Sequence, residues 1–208
     1  LLAARTGRAL MSSIDYASLR GGKSFGREAG EWALQGEVPA TSKEGHELAT
    51  FAGGCFWGTE LHFMRVKGVV ATCVGYTQGQ LAQPTYQQVV GGRTGHAEAV
   101  QVAFDPLQVS FSELCELLFR TIDPTLRDRV GNDTGSQYRH GIYPHTGRQE
   151  SLARAVIATE QRKHTRPVVT ELKPAKIFWP AEDEHQQFLS RGGRFGSPQS
   201  ATKGCRDP

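Results

Sequence analysis

The chain has 208 residues, with 24 Lys and Arg against 21 Asp and Glu for a net charge of +3; on a prior of roughly 100–200 residues per domain, that length fits one domain with tails. A core of this size buries about 70% of the unfolded chain's surface without staples, and the four cysteines, at 55, 73, 115 and 205 with no C-x-x-C pair, argue against a zinc ribbon, a thioredoxin-type dithiol or a secreted disulfide scaffold and for a reducing compartment. The basic residues are scattered, which argues against nucleic acid as a partner, and the longest apolar run, around 69–74, is far short of the roughly 18 residues of a membrane span.

In chain order, residues 1–45 hold Gly, Ser, Ala and scattered charge without a sustained period of 2 or 3.6, the pattern expected of a flexible N-terminal extension. Residues 1–10 carry two Arg and no acid, in the manner of the end of a transit peptide. From about 46 onward, short β runs alternate with helical periods. Strands are predicted at 47–52, 68–76, 97–104, 138–144 and 168–172, and helices at 55–65, 110–120, 147–163 and 181–190. This alternation predicts a layered α/β or α+β domain over 46–190. Ser110 and Glu113 have capping-box spacing, Val109 and Leu114 are placed as a hydrophobic staple, and Thr146 with Gln149 repeats the capping logic. Residues 191–208 read as a glycine-rich flexible tail, and no repeat of 20–50 residues is present.

The cysteines separate by context. Cys115 shares an i, i+3, i+4, i+7 stripe with Phe111, Leu114 and Leu118, and Cys73 lies in a strand apolar on both faces, so both read as inert core residues. Cys55 follows Gly53-Gly54 where a β run feeds a helical one. A first-turn position puts its sulfur near unpaired N–H groups and the positive end of the helix dipole, which favours thiolate. An ordinary thiol is only about 3% ionised at pH 7, and a downward shift of about 1.5 units would raise that to about half. Phe56 and Trp57 follow at once and could wall a pocket for a small alkyl group, or simply pack in the core. Cys205, after Gly204 near the chain end, also lacks a core pattern.

Within 97–104, period-two alternation puts Glu98 on the side of Val100, Val102 and Phe104. Desolvation there would raise its pKa; a rise from about 4.3 to about 7 corresponds to roughly 3.7 kcal/mol and makes a proton donor at neutral pH. Tyr86 after Pro84-Thr85, and Tyr138 after the turn-rich 133–137, can point hydroxyls into a cleft. Asp133 reads first as a turn residue.

The segment Gly54-Cys55-Phe56-Trp57-Gly58 resembles that of a peptide methionine sulfoxide reductase of the A type. So do Gly95-His96-Ala97-Glu98-Ala99-Val100, the run from Gly131 to Arg139, and Ala181-Glu182-Asp183-Glu184-His185-Gln186-Gln187, in family order across about 48–205; the tail around Gly192-Gly193-Arg194 and Gly204-Cys205 is similar to the plant and algal branch. The resemblance implies a compact α+β two-layer sandwich with a ferredoxin-like mixed sheet. It implies Cys55 as nucleophile on the sulfoxide sulfur, Glu98 as acid, Tyr86 and Tyr138 as binders of the departing oxygen, and Phe56, Trp57 and Asp133 as substrate-binding residues. Cys205 would resolve a Cys55 sulfenic acid to a disulfide reduced by thioredoxin, or by dithiothreitol in vitro, with no metal or organic cofactor. A monomer, cytoplasmic or plastid, acting on the S epimer of free or protein-bound methionine sulfoxide is expected. His140 and Glu184 stand where the family pattern has a small residue and a tyrosine.

Two other readings remain open at this point. One is a cysteine hydrolase with Cys55 activated by His62, His96 or His164, for which no recognised spacing exists. The other is a binding module whose aromatic pair only docks a methionine side chain.

Overall fold

The computed structural model describes residues 25–196. Its elements are α1 (Phe25–Gln35), β1 (Glu47–Gly53), α2 (Phe56–Met64), β2 (Val69–Thr77), α3 (Tyr86–Val90), β3 (Ala97–Phe104), α4 (Phe111–Thr121), β4 (Arg129–Val130), β5 (Asp133–Thr134), β6 (His140–Tyr143), α5 (Gly147–Gln161), β7 (Glu171–Leu172) and β8 (Trp179–Pro180). One six-stranded sheet runs β7-β6-β1-β3-β2-β8, antiparallel except for the β6–β7 pair, while β4 and β5 form a separate hairpin. The α+β mixed-sheet architecture is therefore as expected.

β3 is central, and every one of its residues is buried. Its two faces do different work. Val100, Val102 and Phe104 pack with Phe51 and with Phe63, Phe111, Leu114, Cys115 and Leu118 from α2 and α4. Ala97, Ala99 and Ala103 lie on the other face with Cys73, Phe25, Ala29 and Trp32. Alanines on that face leave room for the large rings of α1 to approach the strands.

That second cover corrects the reading of 1–45 as an extension without helix. Phe25, Ala29, Trp32 and Ala33 fall at i, i+4, i+7 and i+8, and all four are buried. The chain then returns along the domain, with the Lys43 N–H donated to the buried Glu28 carboxylate. A second correction concerns 181–190, which is no helix: only Asp183–His185 makes a 3₁₀ turn, and Gln187 is left-handed with φ 52°. The side chain of Gln186 explains the break, because its amide accepts from Val74 N–H at 3.0 Å and donates to the carbonyls of Val74 and Ala181, both at 2.9 Å. Three bonds to fixed backbone hold that residue against β2 instead of letting it wind.

The helix starts agree with the sequence. Ser110 accepts from Glu113 N–H at 3.2 Å, and Glu113 accepts from Ser110 N–H at 2.8 Å, a complete capping box worth about 1 kcal/mol. Thr146 accepts from Gln149 N–H at 3.1 Å at the start of α5. α3 and β8, five and two residues long, were too short to show a period; α3 nonetheless carries its own capping box, Thr85 with Gln88. Among the described residues no helix is long and apolar enough to cross a membrane.

Candidate active site

Cys55 is the N-cap of α2, one position before the first helical residue, and is half-buried. Gly54 precedes it at φ +78°, and Thr59 Oγ1, from the first turn of the helix, donates to the carbonyls of Gly53 at 3.0 Å and Cys55 at 3.2 Å. The strand-to-helix corner is thus locked by a side-chain hydroxyl on two backbone carbonyls, and the sulfur stands at the positive end of the helix. Cys73 and Cys115 are buried in the core, where desolvation raises both thiols far above the range in which they ionise.

Glu98 is 1% exposed, and its Oε2 accepts the N–H of Phe56 at 3.0 Å. This bond brings the acid on β3 to the first residue after the cysteine. Tyr86, the first residue of α3, and Tyr138, at the end of the 3₁₀ turn Ser136–Tyr138, complete the cluster. Burial raises both phenols, and the nearby Glu98, Cys55 and Asp133 raise them further. Both hydroxyls therefore stay protonated at neutral pH and able to donate. Asp133 sits half-exposed in β5.

Phe56 is buried, and its ring lies 6.3 Å from Trp57, 5.9 Å from Tyr76 and 6.4 Å from Tyr86. The aromatic wall has two members that the sequence reading did not single out. His185 stacks 4.4 Å from Tyr86 and 5.6 Å from Trp57, and Phe188 stacks on Trp57 at 4.0 Å. Both belong to the segment after β8, His185 within the fourth family motif and Phe188 immediately after it.

Two further side chains position the cluster. Glu182 accepts from Tyr86 N–H and from the Tyr76 hydroxyl, each at 2.8 Å, and so fixes the start of α3 against β2. Arg139 donates to the carbonyls of Ser136 at 2.7 Å, Gly95 at 3.0 Å and His96 at 3.2 Å, and pairs with Glu171 at 3.0 Å. It clamps the turn that carries Tyr138 to the start of the strand that carries Glu98. The signal was present: both residues lie inside quoted motifs, but a charged residue in a motif gives no hint of whether it reacts or braces.

The two family departures fall away from the cluster. His140 is buried in β6, with Nδ1 2.9 Å from Thr170 Oγ1 and Nε2 2.7 Å from the Leu126 carbonyl, while Glu184 is exposed. Of the three histidines weighed as partners of Cys55, His164 bonds Glu160 at 2.8 Å, the His96 ring lies against Gly79, and His62 stands about 10 Å along the helix by axial rise. A groove of about 650 Å³ lined by Gln80, Leu81, Gln87, Gln88, Gly91, Arg93 and Thr94 contains none of the clustered side chains. No group of three or more His, Cys, Asp or Glu among the described residues could hold a metal ion. Cys205 lies outside the described residues.

The family model for peptide methionine sulfoxide reductase matches residues 47–203. The chain belongs to that family, in its A type. It is 48% identical over 174 residues to peptide methionine sulfoxide reductase A3 of Arabidopsis thaliana, covering 84% of this chain and 86% of that one. It is 51% identical over 164 residues to the chloroplastic A4 protein of Oryza sativa subsp. japonica, covering 79% of this chain and 62% of that one. Among solved structures, reduced Mxr1 of Saccharomyces cerevisiae matches with a TM-score of 0.69 at 32% identity, over 73% of this chain and 88% of that one. Mxr1 has also been solved in complex with Trx2, a match of TM-score 0.51 at 24% identity over 73% of this chain and 90% of that one, which bears on fold alone. The activity of this oxidoreductase is the reduction of methionine sulfoxide.

Proposed function

We propose that the chain reduces the S epimer of methionine sulfoxide, free or within proteins, by thiol chemistry at Cys55. The observation that carries this is the Phe56 N–H bond to Glu98 Oε2, which ties a buried acid to the corner that presents the sulfur. The Cys55 thiolate attacks the sulfoxide sulfur while Glu98 protonates the oxygen, and Tyr86 and Tyr138 donate to that oxygen as its charge develops. Phe56 and Trp57 hold the S-methyl group, and Asp133 binds the substrate's polar part. The bond between Cys55 and the substrate sulfur then breaks as the protonated oxygen passes to Cys55 Sγ: methionine leaves and Cys55 remains as a sulfenic acid, which a second thiol converts to a disulfide with loss of water. Cys205 is that thiol, and thioredoxin, the kind of partner with which Mxr1 has been crystallised, exchanges with the disulfide and regenerates both thiols. On this reading the protein needs no resident cofactor. It acts as a monomer over a catalytic unit at 46–190, with 191–208 as the tail bearing the resolving thiol, in the cytoplasm or in a plastid like the rice relative.

The test pairs two assays. With dithiothreitol, each epimer of a methyl sulfoxide is offered separately, and turnover of the S epimer alone is expected; reduction of neither would leave only a docking module. With thioredoxin as reductant, Cys205→Ser is expected to release one equivalent of methionine and then stop, and sustained cycling by that variant would assign the resolving step to another cysteine.

A further inference from the structure

A second buried acid lies on α2 and takes no part in the proposed chemistry. Glu60 is 1% exposed, three residues after Trp57 and so on the same side of the helix. Its Oε1 accepts from Thr72 Oγ1 at 3.0 Å and its Oε2 from the backbone N–H of Gln187 at 2.8 Å. Gln187 is left-handed, so the chain turns sharply at the point of that bond. The next residue is Phe188, whose ring stacks on Trp57 with centroids 4.0 Å apart and an interplanar angle of 24°. The segment is pinned just upstream as well, through the Gln186 amide to Val74 and Ala181.

We infer that Glu60 is a positioning residue for sulfoxide reduction: by accepting the Gln187 N–H it seats Phe188 on Trp57 and so fixes the wall that receives the S-methyl group. The inference rests on the reading of Trp57 as part of the substrate pocket. A buried N–H at a turn needs an acceptor, and a carboxyl on the helix is the one supplied here. Burial pushes the Glu60 carboxyl up to about 7, with the Thr72 and Gln187 bonds pulling the other way. Either protonation state can serve, because Oε2 accepts from Gln187 while Oε1 and Thr72 Oγ1 can exchange donor and acceptor roles. A glutamine fits the same pattern, with its oxygen toward Gln187 and its NH₂ toward Thr72.

The test compares Glu60→Met with Glu60→Gln, Thr72→Val and Phe188→Ala, using the S epimer of methyl p-tolyl sulfoxide and dithiothreitol so that Cys205 is not involved. Active sites are counted by the single-turnover yield. Glu60→Met is expected to raise KM about tenfold with kcat per active site unchanged, the signature of lost positioning in the bound state. Glu60→Gln and Thr72→Val should keep a normal KM. Phe188→Ala should reproduce the rise in KM, and adding it to Glu60→Met should cost little more. Trypsin cleavage after Arg191 and Arg194 should be faster in Glu60→Met than in the parent chain or Glu60→Gln. Cleavage at the parent rate overturns the latch, and that comparison needs no turnover, so it stands apart from the fate of the proposed reaction. An unchanged KM in Phe188→Ala overturns the role even where Glu60→Met fails to fold, and so does a Glu60→Gln that behaves like Glu60→Met.

Discussion

Two carboxyls flank helix α2, Glu98 at its N-terminal end and Glu60 within it, and each is 1% exposed with a backbone N–H on its Oε2. The two regions differ in the groups that surround each carboxyl. Glu98 is electrostatically coupled to two phenols that also sense Cys55, whereas Glu60 faces Thr72 and the turn at Gln187. Burial alone therefore does not mark an acid as a proton donor. The company it keeps decides between chemistry and bracing.

Four substitutions press on that difference. Cys55→Ser should abolish turnover with dithiothreitol, because an alcohol is a far poorer nucleophile at neutral pH; any steady reduction would move the reaction away from both acids. Glu98→Gln should slow methionine formation by about 10²–10⁴-fold, and a rate like the parent's would remove the acid role and with it the contrast to Glu60. Tyr138→Phe should cost about 10–100-fold in kcat, less than the loss of a lone oxyanion donor because Tyr86 remains. No change in kcat would place the oxygen elsewhere.

Glu60→Gln gives the smallest effect, visible in stability against pH rather than in rate. The folded pKa of Glu60 is raised from 4.5 to about 7, so below pH 4.5 the group is protonated in both states and carries no penalty. Between 4.5 and 7 the unfolded chain gives up its proton while the folded one retains it, and stability falls as pH rises. A gap of that size corresponds to about 3 kcal/mol, lost in full above pH 7. Urea unfolding at pH 4 and pH 8 should show the parent chain losing about 3 kcal/mol relative to Glu60→Gln, the buried histidines His96 and His145 contributing alike to both; parallel curves would mean that Glu60 ionises as freely in the fold as out of it.

The strands β1, β2, β3 and β6 and the helices α2, α4 and α5 were legible because their side chains carry a period or a cap: β3 alternates in sequence, and α4 and α5 announce their starts with side-chain caps. Cys73 and Cys115 were legible as core for the same reason. The first helix was missed although its apolar stripe is present, because Gly26 and Gly30 interrupt it and the glycine-rich residues before it blur the window. The end of the sheet was misread in the opposite sense. Residues 181–190 have a helical composition, yet two of the bonds that break the helix reach from Gln186 to Val74 of β2, over a hundred residues away, and no local pattern encodes them. The same distance hid His185 and Phe188 from the aromatic wall. Cys55, Phe56 and Trp57 are contiguous and easily noticed, whereas their covering rings are brought to them only by the fold.

Gly54 carries a consequence for loop exchange among relatives. A β-carbon there would sit 2.5 Å from Cβ of Val130, on the hairpin that leads into the Tyr138 turn, at a backbone angle of φ +78° that side chains rarely adopt. The Val130 side chain packs directly on the Gly54 backbone, so the corner that presents Cys55 and the hairpin meet with no β-carbon on the Gly54 side of the seam. A hairpin grafted from another reductase should keep its register here only if the recipient retains glycine at that single position.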